Sequence, residues 1–216
     1  MRYASRQEAG CRLAQFLRDR GIEADVVLGL PRGGVVVAAE VARALHRPLE
    51  ALVVRKIGHP WHREFAVGAL AEPDVVLLAE ATFAGIPLPR EELDRVIAEE
   101  KKRLREYRAR FHRAKEPALA GKTVLLVDDG LATGATAEAA VLSAKKQGAR
   151  RVIVAAPTAS TNAVERLQRV ADAVIAPIID PEFEAVGQYY ESFSQTSDAE
   201  VVELLRAGEK EPSSHD

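Results

Sequence analysis

Asp128 and Asp129 stand side by side where an apolar run, Val-Leu-Leu-Val at 124–127, comes to an end. They are followed at once by Gly-Leu-Ala-Thr-Gly-Ala-Thr at 130–136. Two adjacent carboxylates repel one another unless something shares their charge. Vicinal hydroxyls, a metal ion, or both would do so. The small residues that follow let successive backbone N–H groups converge on one point. With a helix N-terminus behind them, such a nest takes an anion. Thr133 and Thr136 can add hydroxyl donors. A diol beside a phosphate is the outline of a ribose 5-phosphate. The competing reading is a tight strand-to-helix turn with an incidental acidic pair.

Two further apolar runs end in residues that could do chemistry. Leu-Pro-Arg-Gly-Gly at 30–34 closes the first and by itself reads as readily as a turn. Arg55 and Lys56 close the second and lead into the polar stretch Ile-Gly-His-Pro-Trp-His-Arg-Glu at 57–64, which a solvated hairpin would also explain. His59, His62 and Glu64 do not make a metal set. Two histidines three apart on a proline-containing loop lack the further ligands a zinc ion requires. Trp61 either packs on a closed site or stands at the loop tip. Cys11 is the one cysteine and reads as a small semi-buried helix residue. No His/Asn pattern accompanies it to make a nucleophile.

These residues need a scaffold. Apolar runs at 24–30, 49–56, 123–127, 150–157 and 172–178 alternate with helical patterns at 5–21, 34–46, 136–147 and 161–171. In the first helix Ala9, Leu13, Phe16 and Leu17 share a face. Stretches 65–72 and 74–80 read as two more strands, forming an antiparallel excursion. Residues 89–113 read as a long outer helix, charged except for a narrow stripe of Leu93, Val96, Ile97, Leu104, Tyr107 and Phe111. Left exposed, that stripe is a candidate subunit contact and suggests a homodimer. The alternation predicts an α/β fold: a mainly parallel sheet with helices on both faces and the ligand at the C-terminal strand ends. One domain is expected over 1–207, with its core at about 22–176, a flexible loop at about 56–66 and a small C-terminal hood at about 177–207. Residues 208–216 read as a disordered tail. The 30 basic and 32 acidic residues leave a net charge of -2, so neither nucleic acid nor a membrane surface is the expected partner. A single cysteine and the lack of a signal-peptide pattern suggest a cytoplasmic protein.

The 124–136 stretch resembles the phosphoribosyl-diphosphate (PRPP) binding signature of the type I phosphoribosyltransferases: four apolar residues, two acidic ones and a small Thr/Gly-rich loop. Gly130 departs from it, since the family usually carries a medium apolar residue there. The resemblance implies that Asp128 and Asp129 bind the ribose 2- and 3-hydroxyls, and that Ala132, Thr133, Gly134, Ala135 and Thr136 hold the 5-phosphate. It implies a diphosphate loop at 30–34. There Arg32 would fork onto phosphate oxygens, and Gly33 and Gly34 would let backbone N–H groups come close. A cis peptide between Pro31 and Arg32 is implied as well. At 55–66 it implies a mobile loop closing over the diphosphate, with Arg55 and Lys56 neutralising the leaving group. Asp128, Asp129, Arg55 and Lys56 would then be the catalytic set. Mg2+ would be the cofactor, reaching the protein mainly through PRPP and through Asp128 and Asp129. The implied reaction transfers the 5-phosphoribosyl group to a nitrogenous base and releases diphosphate.

The acceptor side falls to the aromatics Phe183, Tyr189, Tyr190 and Phe193. They could stack a planar base or simply pack the C-terminal segment onto the sheet. Residues 183–191 loosely resemble the closing segment of the purine-salvage branch, with Glu191 near its acidic place, which favours a purine-like acceptor. Two other readings stay open. One is a non-catalytic PRPP- or nucleotide-sensing regulator on the same fold. The other is a phospho-accepting receiver domain, whose first strand Val-Leu-Leu-Val-Asp-Asp also resembles.

Overall fold

The structure, a computed structural model, describes residues 2–63, 65–78, 89–112 and 118–208. Five short strands make the central sheet: β1 (Val26–Gly29), β2 (Leu49–Ala51), β6 (Thr123–Val127), β7 (Arg151–Ala155) and β9 (Ala173–Ile175). Their order is β2-β1-β6-β7-β9 and every pairing is parallel. Side chains alternate across a strand, so continuous apolar runs bury both faces. Val27, Leu125, Val127 and Ile153 face α1 (Arg6–Arg18), α2 (Gly33–Leu45) and α6 (Asp198–Gly208). Val26, Leu28, Val124, Leu126 and Val152 face α4 (Ala135–Lys146) and α5 (Thr161–Leu167).

The register aligns the strand ends. Ala51, Gly29, Val127, Ala155 and Ile175 form one row across the sheet. The segments after Gly29 and Val127 therefore leave the sheet side by side. That row is what brings 30–34 and 128–136 together.

Two runs read as single strands are each divided between sheets. Residues 49–56 give β2, and then β3 (Val54–Gly58), which pairs antiparallel with β4 (Ala66–Ala71), itself paired with β5 (Val75–Leu78). The break has a cause: Leu52 N still donates to Gly29 O at 3.1 Å, whereas Val53 N donates to the Glu72 carboxylate at 2.7 Å. Val53 O in turn accepts from Glu72 N at 3.1 Å, so the residue after the β1 pairing is held by the end of β4. Residues 172–178 likewise divide into β9 and β10 (Ile178–Asp180), which pairs with β8 (Thr158–Ser160). Pro177, like Pro157 before β8, has no N–H to continue the ladder, and at each proline the chain steps to the small sheet.

The long helix α3 (Arg90–Phe111) does not expose its stripe. Leu93, Val96, Leu104 and Phe111 are buried in the same core as α2 and β4, with Ile97 and Tyr107 packed against it. The expected subunit contact on that stripe is thus corrected, because this chain's own hairpin covers it. Cys11 is exposed rather than semi-buried, and Phe16 is only half-buried, lying under the Arg20 guanidinium. The predicted tail beyond Gly208 lies outside the described residues. Among the described residues, no helix is long and apolar enough to cross a membrane.

Candidate active site

Two loops meet at the aligned strand ends, those after β1 and β6. The loop after β6 is anchored from behind: Leu131 bridges to Ala159, Leu131 N donates to Thr158 O, and Ser160 Oγ donates to Ala132 O at 2.5 Å. Gly134 adopts φ 72°, a left-handed conformation that glycine takes without strain, and turns the chain into α4. No side chain caps α4, so its first N–H groups face outward beside Thr133, whose Oγ1 lies 3.4 Å from Ala135 N. Ala132 and Thr133 are exposed, and Ala135 and Thr136 half-buried. The geometry is that of an open anion nest.

The loop after β1 touches the acidic pair. A Cβ on Gly33 would stand 2.0 Å from Asp129 Oδ2, and one on Gly34 would stand 2.9 Å from Asp128 Oδ1. Only glycines leave room for two carboxylates against this backbone. The Pro31–Arg32 peptide is cis, as the resemblance implied. Arg32 itself is exposed and leans towards Asp198 at 3.9 Å, the first residue of α6.

The two carboxylates differ. Asp128 is half-buried and its Oδ1 accepts from Asp129 N at 2.8 Å. Burial pushes the Asp128 carboxyl well above the usual carboxylate range, and the neighbouring Asp129 charge adds to this. The positive charge of Lys56 acts in the opposite sense. Asp129 is instead engaged by a residue that sequence reasoning missed: Arg6 Nε lies 2.7 Å from Asp129 Oδ2.

The expected strand end at 55–56 is corrected: Arg55 and Lys56 lie inside β3 as neighbours on opposite faces, because the run divides before Val54. The Arg55 guanidinium pairs with Glu100 of α3 at 2.9 Å and lies 5.3 Å from the Tyr107 ring centre. Arg103 binds the same Glu100 at 2.6 Å, and Arg63 binds Glu99 at 3.1 Å. A cavity of about 530 Å3 lies among these side chains and Lys56. Arg55 is thus committed to α3, while Lys56 stays exposed with its charge acting on Asp128. His59 is buried with Nδ1 accepting from Trp61 N, Trp61 is exposed at the loop tip, and Glu64 lies outside the described residues. No group of three metal-ligating side chains occurs among the described residues.

On the acceptor side, Tyr189 and Tyr190 are buried, in a cluster with Tyr3 and Ala9. Tyr189 OH donates to Asp180 Oδ2 at 2.5 Å and its ring stacks on Phe183 at 5.0 Å. Tyr190 OH donates to Asp129 O at 2.6 Å, and burial raises its pKa far above the usual phenol range. Neither tyrosine therefore offers an open face to a planar base. Glu191 is exposed, its N–H donating to Tyr3 O. Phe193 keeps 41% of its surface exposed.

The model of the phosphoribosyl transferase domain matches residues 6–191, which takes in both loops, β3 and the tyrosine pair. The chain belongs to the phosphoribosyl transferase family. Two Mycobacterium tuberculosis relatives, from strains CDC 1551 / Oshkosh and H37Rv, bear a provisional phosphoribosyl transferase name and are 43% identical over 204 residues, 94% of this chain. The chain spans 46% of their length, about half. The crystal structure of TT1426 from Thermus thermophilus is similar with 44% identity and a TM-score of 0.79, covering 95% of this chain and 98% of that one. A receiver domain is thereby set aside.

The departure at Gly130 has a structural counterpart in this chain. A Cβ at 130 would stand 2.5 Å from Val186 Cγ1, so Val186 fills the volume that a side chain at 130 would take. Gly130→Ala should therefore be destabilising by about 1–3 kcal/mol through overpacking. Adding Val186→Ala should recover most of that loss, a coupling that a double-mutant cycle of denaturant midpoints measures. Additive losses would separate the two positions.

Proposed function

We propose that this phosphoribosyl transferase binds PRPP with Mg2+ and transfers the 5-phosphoribosyl group to a nitrogenous base, releasing diphosphate. The observation that carries the reading is the row of strand ends, which sets a carboxylate pair between an open anion nest at 131–136 and the Gly33–Gly34 backbone. Ribose hydroxyls would donate to the carboxylates and the 5-phosphate would accept from the N–H groups at the start of α4. The diphosphate would lie along 32–34, with Lys56 across from it. The acceptor nitrogen would give its lone pair to C1 as the C1–O pair leaves with the diphosphate. Positive charge then builds on the sugar beside Asp128 and Asp129, and negative charge builds near Lys56. Catalysis on this reading is positioning and electrostatics.

The donor set suits Mg2+ delivered on the substrate. Asp129 already pairs with Arg6, which leaves Asp128 as the carboxylate of the two without a salt bridge among the described residues. Mg2+ is usually held by one or two carboxylates plus substrate phosphates, so Asp128 would hold it together with PRPP. When bound, the ion would neutralise diphosphate charge.

The aromatic argument for purines weakens with Tyr189 and Tyr190 buried, so the acceptor is a nitrogenous base without a preference. A non-catalytic PRPP sensor is the second reading, and the commitment of Arg55 to Glu100 speaks for it. Titration calorimetry with PRPP and Mg2+ should give saturable binding, and no heat of binding would end both readings. Diphosphate release with purines, pyrimidines or nicotinate-like acids then separates the enzyme from the sensor.

A further inference from the structure

Arg6 is out of place by local rules. It is the first residue of α1, behind the Ser5 cap, where the helix dipole disfavours a cation. Residues that break a local rule often serve a need elsewhere in the structure. The side chain turns inward and is only 11% exposed, as Asp129 is 15% exposed.

The guanidinium makes four connections. Nε donates to Asp129 Oδ2 at 2.7 Å, and Nη1 donates to Ser194 O at 2.7 Å. Its carbon lies 3.9 Å from the Phe193 ring centre and 6.0 Å from that of Tyr190. A Cβ on Gly33 would stand 2.6 Å from Nε, so the group also presses on the loop after β1. Tyr190 OH meanwhile binds the carbonyl of the same Asp129. Asp129 is thus gripped from its backbone and from its side chain by groups tied to 190–194.

We propose that Arg6 is a positioning residue that fixes the Asp129 carboxylate for the ribose and couples it to the 190–194 segment on the acceptor side. This rests on the PRPP reading above. A ribose hydroxyl is a weaker partner than a charged guanidinium in a nearly buried pair, so the ligand meets Asp129 with Oδ2 already taken. The carboxylate orientation is set before the ligand arrives. Because one guanidinium holds both sides, a ligand that orders 190–194 tightens PRPP binding, and PRPP tightens that ligand by the same factor.

The test uses the full chain and calorimetric titration with PRPP and Mg2+ for wild type, Arg6→Ala, Arg6→Lys, Asp129→Asn and Arg6→Ala with Asp129→Asn. Arg6→Ala should weaken binding about 30-fold, the order expected when a charge-assisted hydrogen bond is misplaced. The double variant should lose no more than the worse single one, and Arg6→Lys should recover part of the loss. A purely structural role would lower the melting temperature of Arg6→Ala and Arg6→Lys alike and leave PRPP affinity intact well below it. That result, or additive losses, overturns the proposal. If the wild type binds no PRPP, the functional reading fails on its own account. The tie is then read from amide hydrogen exchange: faster exchange at 190–194 in both Arg6→Ala and Asp129→Asn supports it, and unchanged exchange overturns it.

Discussion

Asp128→Asn is expected to weaken PRPP binding by about 100-fold and, in the same protein, to raise its melting temperature at neutral pH. The loss follows from the role proposed for the carboxylate. A hydrogen bond to a charged group contributes about 1.5–3 kcal/mol, and a ribose hydroxyl and the Mg2+–PRPP charge would both look to Asp128. Each 1.4 kcal/mol is tenfold in affinity, hence about 100-fold.

The gain in stability comes from the same carboxyl. Burial, and then the Asp129 charge, raise its pKa above the value in the unfolded chain. Between those two values the folded state binds more protons than the unfolded one. Stability therefore falls as pH rises through that window, and above it the folded protein carries the full cost of the ionised group. Asparagine removes that cost. The advantage of Asp128→Asn should be complete above the raised value and should vanish below the unfolded value of 3.8. Scanning calorimetry from pH 3 to 8 in EDTA reads this directly. In a domain of this size each kcal/mol moves the melting temperature by about 2–4 °C. A variant that melts below the wild type at neutral pH, or binds PRPP unchanged, refutes the account. Activity bought with a strained, like-charged pair is a common form of stability–function trade-off.

The second large effect lies away from the ligand. Glu72 is buried at 4% exposure where β4 ends. Its carboxylate accepts from Val53 N at 2.7 Å, from His112 Nε2 at 2.8 Å and from Arg108 Nε at 3.1 Å. Glu72→Ala strands the Val53 N–H and takes a buried anion from two basic side chains. Removing one partner of a buried charged set costs about 3–5 kcal/mol. At about 2–4 °C per kcal/mol the melting temperature should fall by roughly 10 °C. Glu72→Gln keeps an acceptor for Val53 N and should fall between. An alanine variant within about 0.5 kcal/mol of the wild type in urea would show that Glu72 does not hold the chain where it leaves the central sheet. Lys56 stands three residues beyond Val53, so a loosened exit should also weaken PRPP binding.

Arg55 and Lys56 show where reading the sequence reached its limit. The apolar run that stops at two cations was legible, but the strand end read there was not: both residues lie inside β3. Which of them another helix ties down was not legible either, since a period of two gives alternation without a direction. Packing decided it: Glu100 on α3 claimed Arg55 and left Lys56 exposed. The tyrosines follow the same logic. Their clustering was visible, but Tyr3 arrives from the other end of the chain and closes them into a core.

The sequence by itself determined the parallel sheet and the two loops that leave β1 and β6. Continuous apolar runs report burial on both faces, and glycines beside charges report a backbone that something must approach. Tertiary structure alone decided the asymmetry of the acidic pair. Arg6 meets Asp129 across 123 residues of chain, and a contact of that separation leaves no local pattern. Only the docking of α1 beside the strand ends brings a cation to one carboxylate and leaves the other without a salt bridge among the described residues.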